Sequence, residues 1–361
     1  MKVGILTYYF VHNYGAVLQA YGMQRVLERL GHDASFLTFN RNYDHMRVGA
    51  DKKYNISLKS VPMLTQYFLA NGAGTFYYNF QKRNKLHAFV NNRLKMGVRY
   101  SDADANAVLI GSDEVFSIDV GLNPFLYGHD IPVKNIFSYA ASFGSTRMED
   151  IEKSGCREII ESGLMKLKNI GVRDITTENI VREISKRETS LNCDPVLLYG
   201  FKDELQKEKL PKTKDKYIVV YSYDSNFNDA RDVESIKLFA KKNNLKIWSV
   251  GYYHKWCDKN IMCSPTEILG YFSNSEMVVT DTFHGSVLSI ITNTPLMVRL
   301  KKKNQKVEFL LAQYGLKDRL TCEIDDIESK FNKRIDYKKV NEIVEEEREK
   351  SIMYLKECLA D

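Results

Sequence analysis

The chain has 361 residues, 44% hydrophobic and 27% charged, with a net charge of +6. That composition fits a folded protein with room for two domains, and it excludes disordered and collagen-like chains. The positive balance suits phosphates, carboxylates, a charged glycan or an anionic membrane surface. No arginine-rich run interleaved with aromatics points to nucleic acid.

In chain order, Val3 to Tyr8 is an apolar run that reads as a buried first strand rather than a secretory leader. A loop from Phe10 to Gly15 leads into a helix from Ala16, with apolar residues at helical spacing through Leu30 and Gly31 placed to end it. Ala34 to Phe39 is the next strand. Strands alternating with helices predict a parallel sheet with right-handed crossovers.

Residues 41–100 break the pattern; rich in Tyr, Asn, Lys and Phe, they read as a helical insertion. Its aromatics, such as those in Phe76-Tyr77-Tyr78-Asn79-Phe80, are expected to pack inward, the sharper alternative being a sugar-stacking flap. Strands resume at Ala107 to Ile110, Ile136 to Ala140 and Lys168 to Val172. The charged segment from Lys202 to Lys216, with Pro211, reads as a surface junction between domains 1–205 and 206–361. A second series follows: a strand at Tyr217 to Tyr223, a helix to Lys242, and strands at Lys246 to Gly251, Glu276 to Thr280 and Leu296 to Leu300. Ser264-Pro265-Thr266-Glu267 carries a helix-start signature. The charged tail from Tyr337 to Leu359 is expected to be an amphipathic helix packing back across both domains.

The six cysteines form no CxxC pair, and with the lack of an apolar stretch of 18 residues or more they point to reduced thiols in a cytoplasmic protein without a membrane span. P-loop, Gly-x-Gly-x-x-Gly, Gly-x-Ser-x-Gly and His-Glu-x-x-His patterns are all missing, so no metal or cofactor is expected.

The richest stretch is Val278-Val279-Thr280-Asp281-Thr282-Phe283-His284-Gly285-Ser286, an apolar strand running straight into a helix. Ligands of open α/β sheets bind beyond the strands' carboxyl ends, where a helix N-terminus offers free N–H groups to an anion. His284 can move a proton near neutrality, and Gly285 allows close approach. The ordinary alternative is that Asp281 or Thr282 merely caps the helix over a satisfied buried histidine. Arg173, after its own strand, can grip a carboxylate or phosphate, or else pair with Asp174. Asn13, Tyr14, Gly15, Ser112 and Asp113 lie at two further strand ends as candidate supporting residues.

These segments together resemble the polysaccharide pyruvyl transferase family. The resemblance rests on Asn13-Tyr14-Gly15-Ala16-Val17-Leu18-Gln19-Ala20-Tyr21, Gly111-Ser112-Asp113-Glu114-Val115-Phe116, Ser138-Tyr139-Ala140-Ala141-Ser142-Phe143-Gly144, Val172-Arg173-Asp174, Asp194-Pro195-Val196-Leu197-Leu198, Asp281 to Ser286 and Gly315 to Arg319. It implies two Rossmann-like domains facing across a cleft, a glycosyltransferase-B-like α/β fold. It also implies transfer of pyruvate from phosphoenolpyruvate to a sugar of a cell-surface polysaccharide or its precursor, as a ketal. His284 and Arg173 match the family's catalytic and donor-binding residues, and Thr282, Phe283, Gly285 and Ser286 complete the donor loop. Asp281, Asp113, Ser112, Asn13, Tyr14 and Gly15 would support the acceptor or the histidine. The implied partners are phosphoenolpyruvate and a sugar or lipid-linked oligosaccharide, at the inner face of the membrane. The chain departs from the family pattern at Glu114 and Phe116, where many relatives carry Gln and Trp. It also has Lys303, Gln305 and Lys306 where many carry an Arg before the following helix. A sugar-nucleotide glycosyltransferase of the same architecture and a non-catalytic glycan-assembly protein are the competing readings.

Overall fold

The computed structural model describes residues 1–39, 61–119, 121–207, 213–302 and 304–360. The first part of the aromatic-rich insertion and the stretch 208–212, with Pro211, lie outside the described residues, as does Lys303.

Two parallel sheets face one another. The first holds β1 (Lys2–Leu6), β2 (Asp33–Thr38), β3 (Met96–Arg99), β4 (Ala107–Ile110), β5 (Asn135–Ala141), β6 (Ile170–Val172) and β7 (Ser190–Leu191), in the order β3-β2-β1-β4-β5-β6-β7. The second holds β8 (Tyr217–Tyr221), β9 (Lys246–Val250), β10 (Lys259–Ile261), β11 (Met277–Thr280), β12 (Leu296–Arg299) and β13 (Leu320–Thr321), in the order β10-β9-β8-β11-β12-β13. This is the expected α/β arrangement. The central strands read as continuous apolar runs because both faces of a parallel sheet are covered; in β8, Tyr217 to Tyr221 are buried throughout, without alternation.

Helices fill the connections. α1 (Tyr14–Arg29) starts two residues before the expected Ala16, because the Asn13 side chain accepts the Gly15 N–H and caps it there; Gly31, at φ +86°, closes it. α2 (Val61–Arg93) is the insertion, and it corrects one expectation. Thr75, Tyr78, Lys82, Leu86 and Phe89 form its buried stripe, whereas Phe76, Tyr77 and Phe80 are exposed. The stripe reaches the second domain: Tyr78 Oη donates to the Ile261 carbonyl at 2.7 Å, Asn79 donates to Asp224 at 2.8 Å, and Lys82 Nζ lies 3.9 Å from the centre of the Tyr252 ring.

The elements that position the site are α5 (Ile175–Ser185), α6 (Pro195–Tyr199), α10 (Phe283–Ile291) and α11 (Gln305–Gln313), the numbering counting α3 (Met148–Ser154), α4 (Arg157–Leu164), α7 (Lys202–Lys207), α8 (Ala230–Lys242) and α9 (Glu267–Ser273). The Ser264–Glu267 capping box forms as the sequence predicts, at the start of α9. After α12 (Ile327–Asn332), α13 (Tyr337–Cys358) starts on the second domain, where Tyr337 bonds the Thr294 carbonyl. It ends on the first, where Tyr354 Oη donates to the Ser138 carbonyl at 2.7 Å. A single apolar cluster runs through both halves, from Val17 and Leu18 of α1 through Val196 and Leu197 of α6 to Val287 and Leu288 of α10. All six cysteines are free thiols. No helix among the described residues is long and apolar enough to cross a membrane.

Candidate active site

Each sheet changes direction once in its strand order, between β1 and β4 in the first and between β8 and β11 in the second. The loops leaving these four strands face one another, which is where ligands of open parallel sheets bind. Between them lies a cleft of about 420 Å³, lined by Tyr8, Asn13, Asp113, Glu114, Arg173 and, from the second half, Tyr223, Asp281, Thr282, Phe283, His284 and Lys306 among others.

The floor of the cleft joins three residues from separate segments. Arg173 leaves β6 and donates from one guanidinium nitrogen to Asp194 Oδ2 at 3.0 Å, while the other lies 3.6 Å from Asp113. His284, in the first turn of α10, places Nε2 3.7 Å from the same Asp194 oxygen. That separation exceeds a hydrogen bond, and the buried Nε2 has no hydrogen-bond partner among the described residues. Phe283 lies beneath the guanidinium, 4.3 Å from its carbon to the ring centre. Asp194 also caps α6, its second oxygen accepting the Val196 N–H at 2.9 Å. Burial pushes the Asp194 carboxyl up, but His284, Arg173 and the Val196 N–H together hold it below the usual carboxylate range. Burial opposes the Arg173 charge, and Asp113, Asp194, Glu114 and Asp174 outweigh it, so the guanidinium is held more firmly protonated than usual.

Thr282 does cap α10, accepting the Gly285 N–H at 2.9 Å. The first two N–H groups of the helix, those of Phe283 and His284, have no intrahelical acceptor, and both residues line the cleft. Asp281 does not cap; it accepts from Ser222 at 2.7 Å and from Asn226, and burial raises its carboxyl despite those two bonds. Asp174 does not pair with Arg173 but caps α5 through the Thr177 N–H and accepts from Ser142.

The sequence-predicted residues therefore divide. Asn13, Asp113, Arg173, Asp281, Thr282, Phe283 and His284 line the cleft. Tyr14, Ser112 and Ser286 are fully buried behind it, bonded to the Cys263 carbonyl, to Gln19 and to the Thr282 carbonyl respectively. Gly15 backs the imidazole so closely that a Cβ there would lie 2.1 Å from His284 Cγ. Gly285 packs on Thr280 in the same way. Phe116 is core, stacked on Tyr127, and Arg319 is a buried brace for the Lys330 and Arg334 carbonyls. Sequence reasoning missed Asp194, whose visible signal was a helix cap before Pro195, and the ion pair between Glu114 and Lys306 across the cleft.

Among solved structures, UDP-GlcNAc 2-epimerase from Neisseria meningitidis bound to UDP-GlcNAc is similar, at 11% identity and TM-score 0.54 over 99% of each chain. UDP-GlcNAc 2-epimerase from Methanocaldococcus jannaschii follows at 12% identity and TM-score 0.49, over 96% of this chain and 99% of that one. The first of these likenesses speaks for the glycosyltransferase-B-like fold alone. No curated protein matches the sequence. The family model described as polysaccharide pyruvyl transferase matches residues 13–298, most of the chain. The chain belongs to the polysaccharide pyruvyl transferase family.

Proposed function

We propose that the protein transfers pyruvate from phosphoenolpyruvate to two hydroxyls of a sugar, forming a ketal and releasing phosphate. The observation that carries this reading is the convergence of Arg173 and His284, from opposite halves, on Asp194 beside the open N-terminus of α10. A small donor with carboxylate and phosphate groups suits a guanidinium, an imidazole and two free N–H groups.

In this reading His284 delivers a proton to the methylene carbon of the donor. Positive charge then develops at C2, and one sugar hydroxyl attacks it. The C2–O bond to phosphate breaks, and a second hydroxyl closes the ketal. Of the two hydroxyl protons, one leaves on phosphate and one restores His284. A positioned acid contributes typically about 10²–10⁴-fold. Asp194 fixes the imidazole and the guanidinium relative to each other, and Arg173 with the helix N–H groups holds the donor's anionic end. Asp281, Asp113 and Asn13 offer acceptors and donors to sugar hydroxyls, and Tyr223 offers an exposed ring face. The acceptor belongs to a cell-surface polysaccharide or its lipid-linked precursor, made at the inner face of the membrane.

Donor binding tests this reading. Phosphoenolpyruvate should raise the melting temperature in proportion to the logarithm of its concentration, as ligand linkage requires. Stabilisation by a nucleotide sugar with none by phosphoenolpyruvate would favour the glycosyltransferase reading instead.

A further inference from the structure

Resting on that donor reading, we propose that Glu114 masks an anion-binding lysine, Lys306, and that the donor's phosphate takes Glu114's place when it binds. Lys306, in the first turn of α11, crosses from the second half to form an ion pair with Glu114 beyond β4. Both side chains line the cleft that holds Arg173 and His284.

The cleft wall is rich in carboxylates: Asp113, Glu114, Asp119 and Asp281. Among its described lining residues, Arg173 and Lys306 are the permanent cations. They differ in how they can be recruited. The Arg173 side chain is 3% exposed, and that of its partner Asp194 is 0% exposed. An anion that pulled Arg173 away would leave a buried carboxylate uncompensated, which is strongly unfavourable. The Lys306 and Glu114 side chains are 25% and 32% exposed. When an anion takes the ammonium, the released Glu114 carboxylate can turn to water, so the exchange costs little. Glu114 packs against Gly144, where a Cβ would lie 2.7 Å from its carboxyl carbon, so it is guided toward the lysine rather than free on the surface. Lys306 is thus the cation that a phosphate can capture, and Glu114 is its competitor.

This makes opposite predictions for substitutions at the two residues. Isothermal titration with inorganic phosphate and, separately, with phosphoenolpyruvate would compare the wild type with Glu114→Gln, Glu114→Ala and Lys306→Met, each checked for folding by circular dichroism. Removing the competitor should tighten both anions about 3- to 10-fold, and removing the lysine should weaken them about 10-fold or more. If Glu114→Gln, Glu114→Ala and Lys306→Met all weaken binding, the pair merely builds the cleft and the proposal is wrong. Unchanged affinities, or no anion binding in any variant, also overturn it. Opposite shifts with phosphate, but no binding of phosphoenolpyruvate by any variant, would uphold the mask and sink the donor reading alone.

Discussion

Arg173 and Lys306 enter one cleft from opposite halves, and both are paired, yet they do different work. Arg173 is sealed between Asp194 and Asp113 with Phe283 beneath it, whereas Lys306 holds Glu114 at the open side. The contrast teaches that a charge in a ligand site can be architecture or bait, and that burial of its partner decides which.

The comparison breaks most visibly at Asp194. Asp194→Ala takes the closer of its two carboxylate partners from a buried guanidinium and removes the α6 cap, so urea unfolding should show a loss of about 3–5 kcal/mol, well beyond any change from Glu114→Gln. A loss below about 1 kcal/mol, the range of exposed pairs, would mean that the trio is not structurally coupled. His284→Ala should leave the fold intact and lower phosphate release about 10²–10⁴-fold. Equal turnover in the variant would remove the histidine from the chemistry. Gly15→Ala sharpens the point: alanine ordinarily stabilises a helix by about 0.5–1 kcal/mol relative to glycine, but here its Cβ displaces His284. Turnover should fall on the order of 10²-fold, as for a misplaced catalytic group, and a gain in stability without loss of activity would contradict the packing. The smallest effect concerns pH. Because the folded Asp194 carboxyl is held low, its contribution is complete above the unfolded pKa of about 3.9 and is lost as pH falls through the lower folded value. Acid titration of stability in Asp194→Asn should therefore be flatter than wild type below about pH 4.

The sequence revealed what is local. The apolar run into Asp281 to Ser286 and the Arg after β6 are strand-end signals, and both reach the cleft. Asp194 was readable only as a cap before Pro195 within a family-like segment, since its pairing with Arg173 links two strand ends 21 positions apart and its approach to His284 exists only once the two halves meet. The same holds for Glu114 and Lys306, 192 positions apart. The aromatic run of α2 misled because its composition hides a stripe. Tyr78 and Lys82 share the inward face, and Phe76, Tyr77 and Phe80 fall outside it.

The most direct test of the central claim follows the donor's carbon. With phosphoenolpyruvate labelled at C2 with carbon-13 and a glycan acceptor, the wild type should move the label into a quaternary ketal carbon on the sugar while releasing one phosphate per ketal, and His284→Ala should not. Label that stays in phosphoenolpyruvate while a nucleotide sugar is consumed would contradict the account.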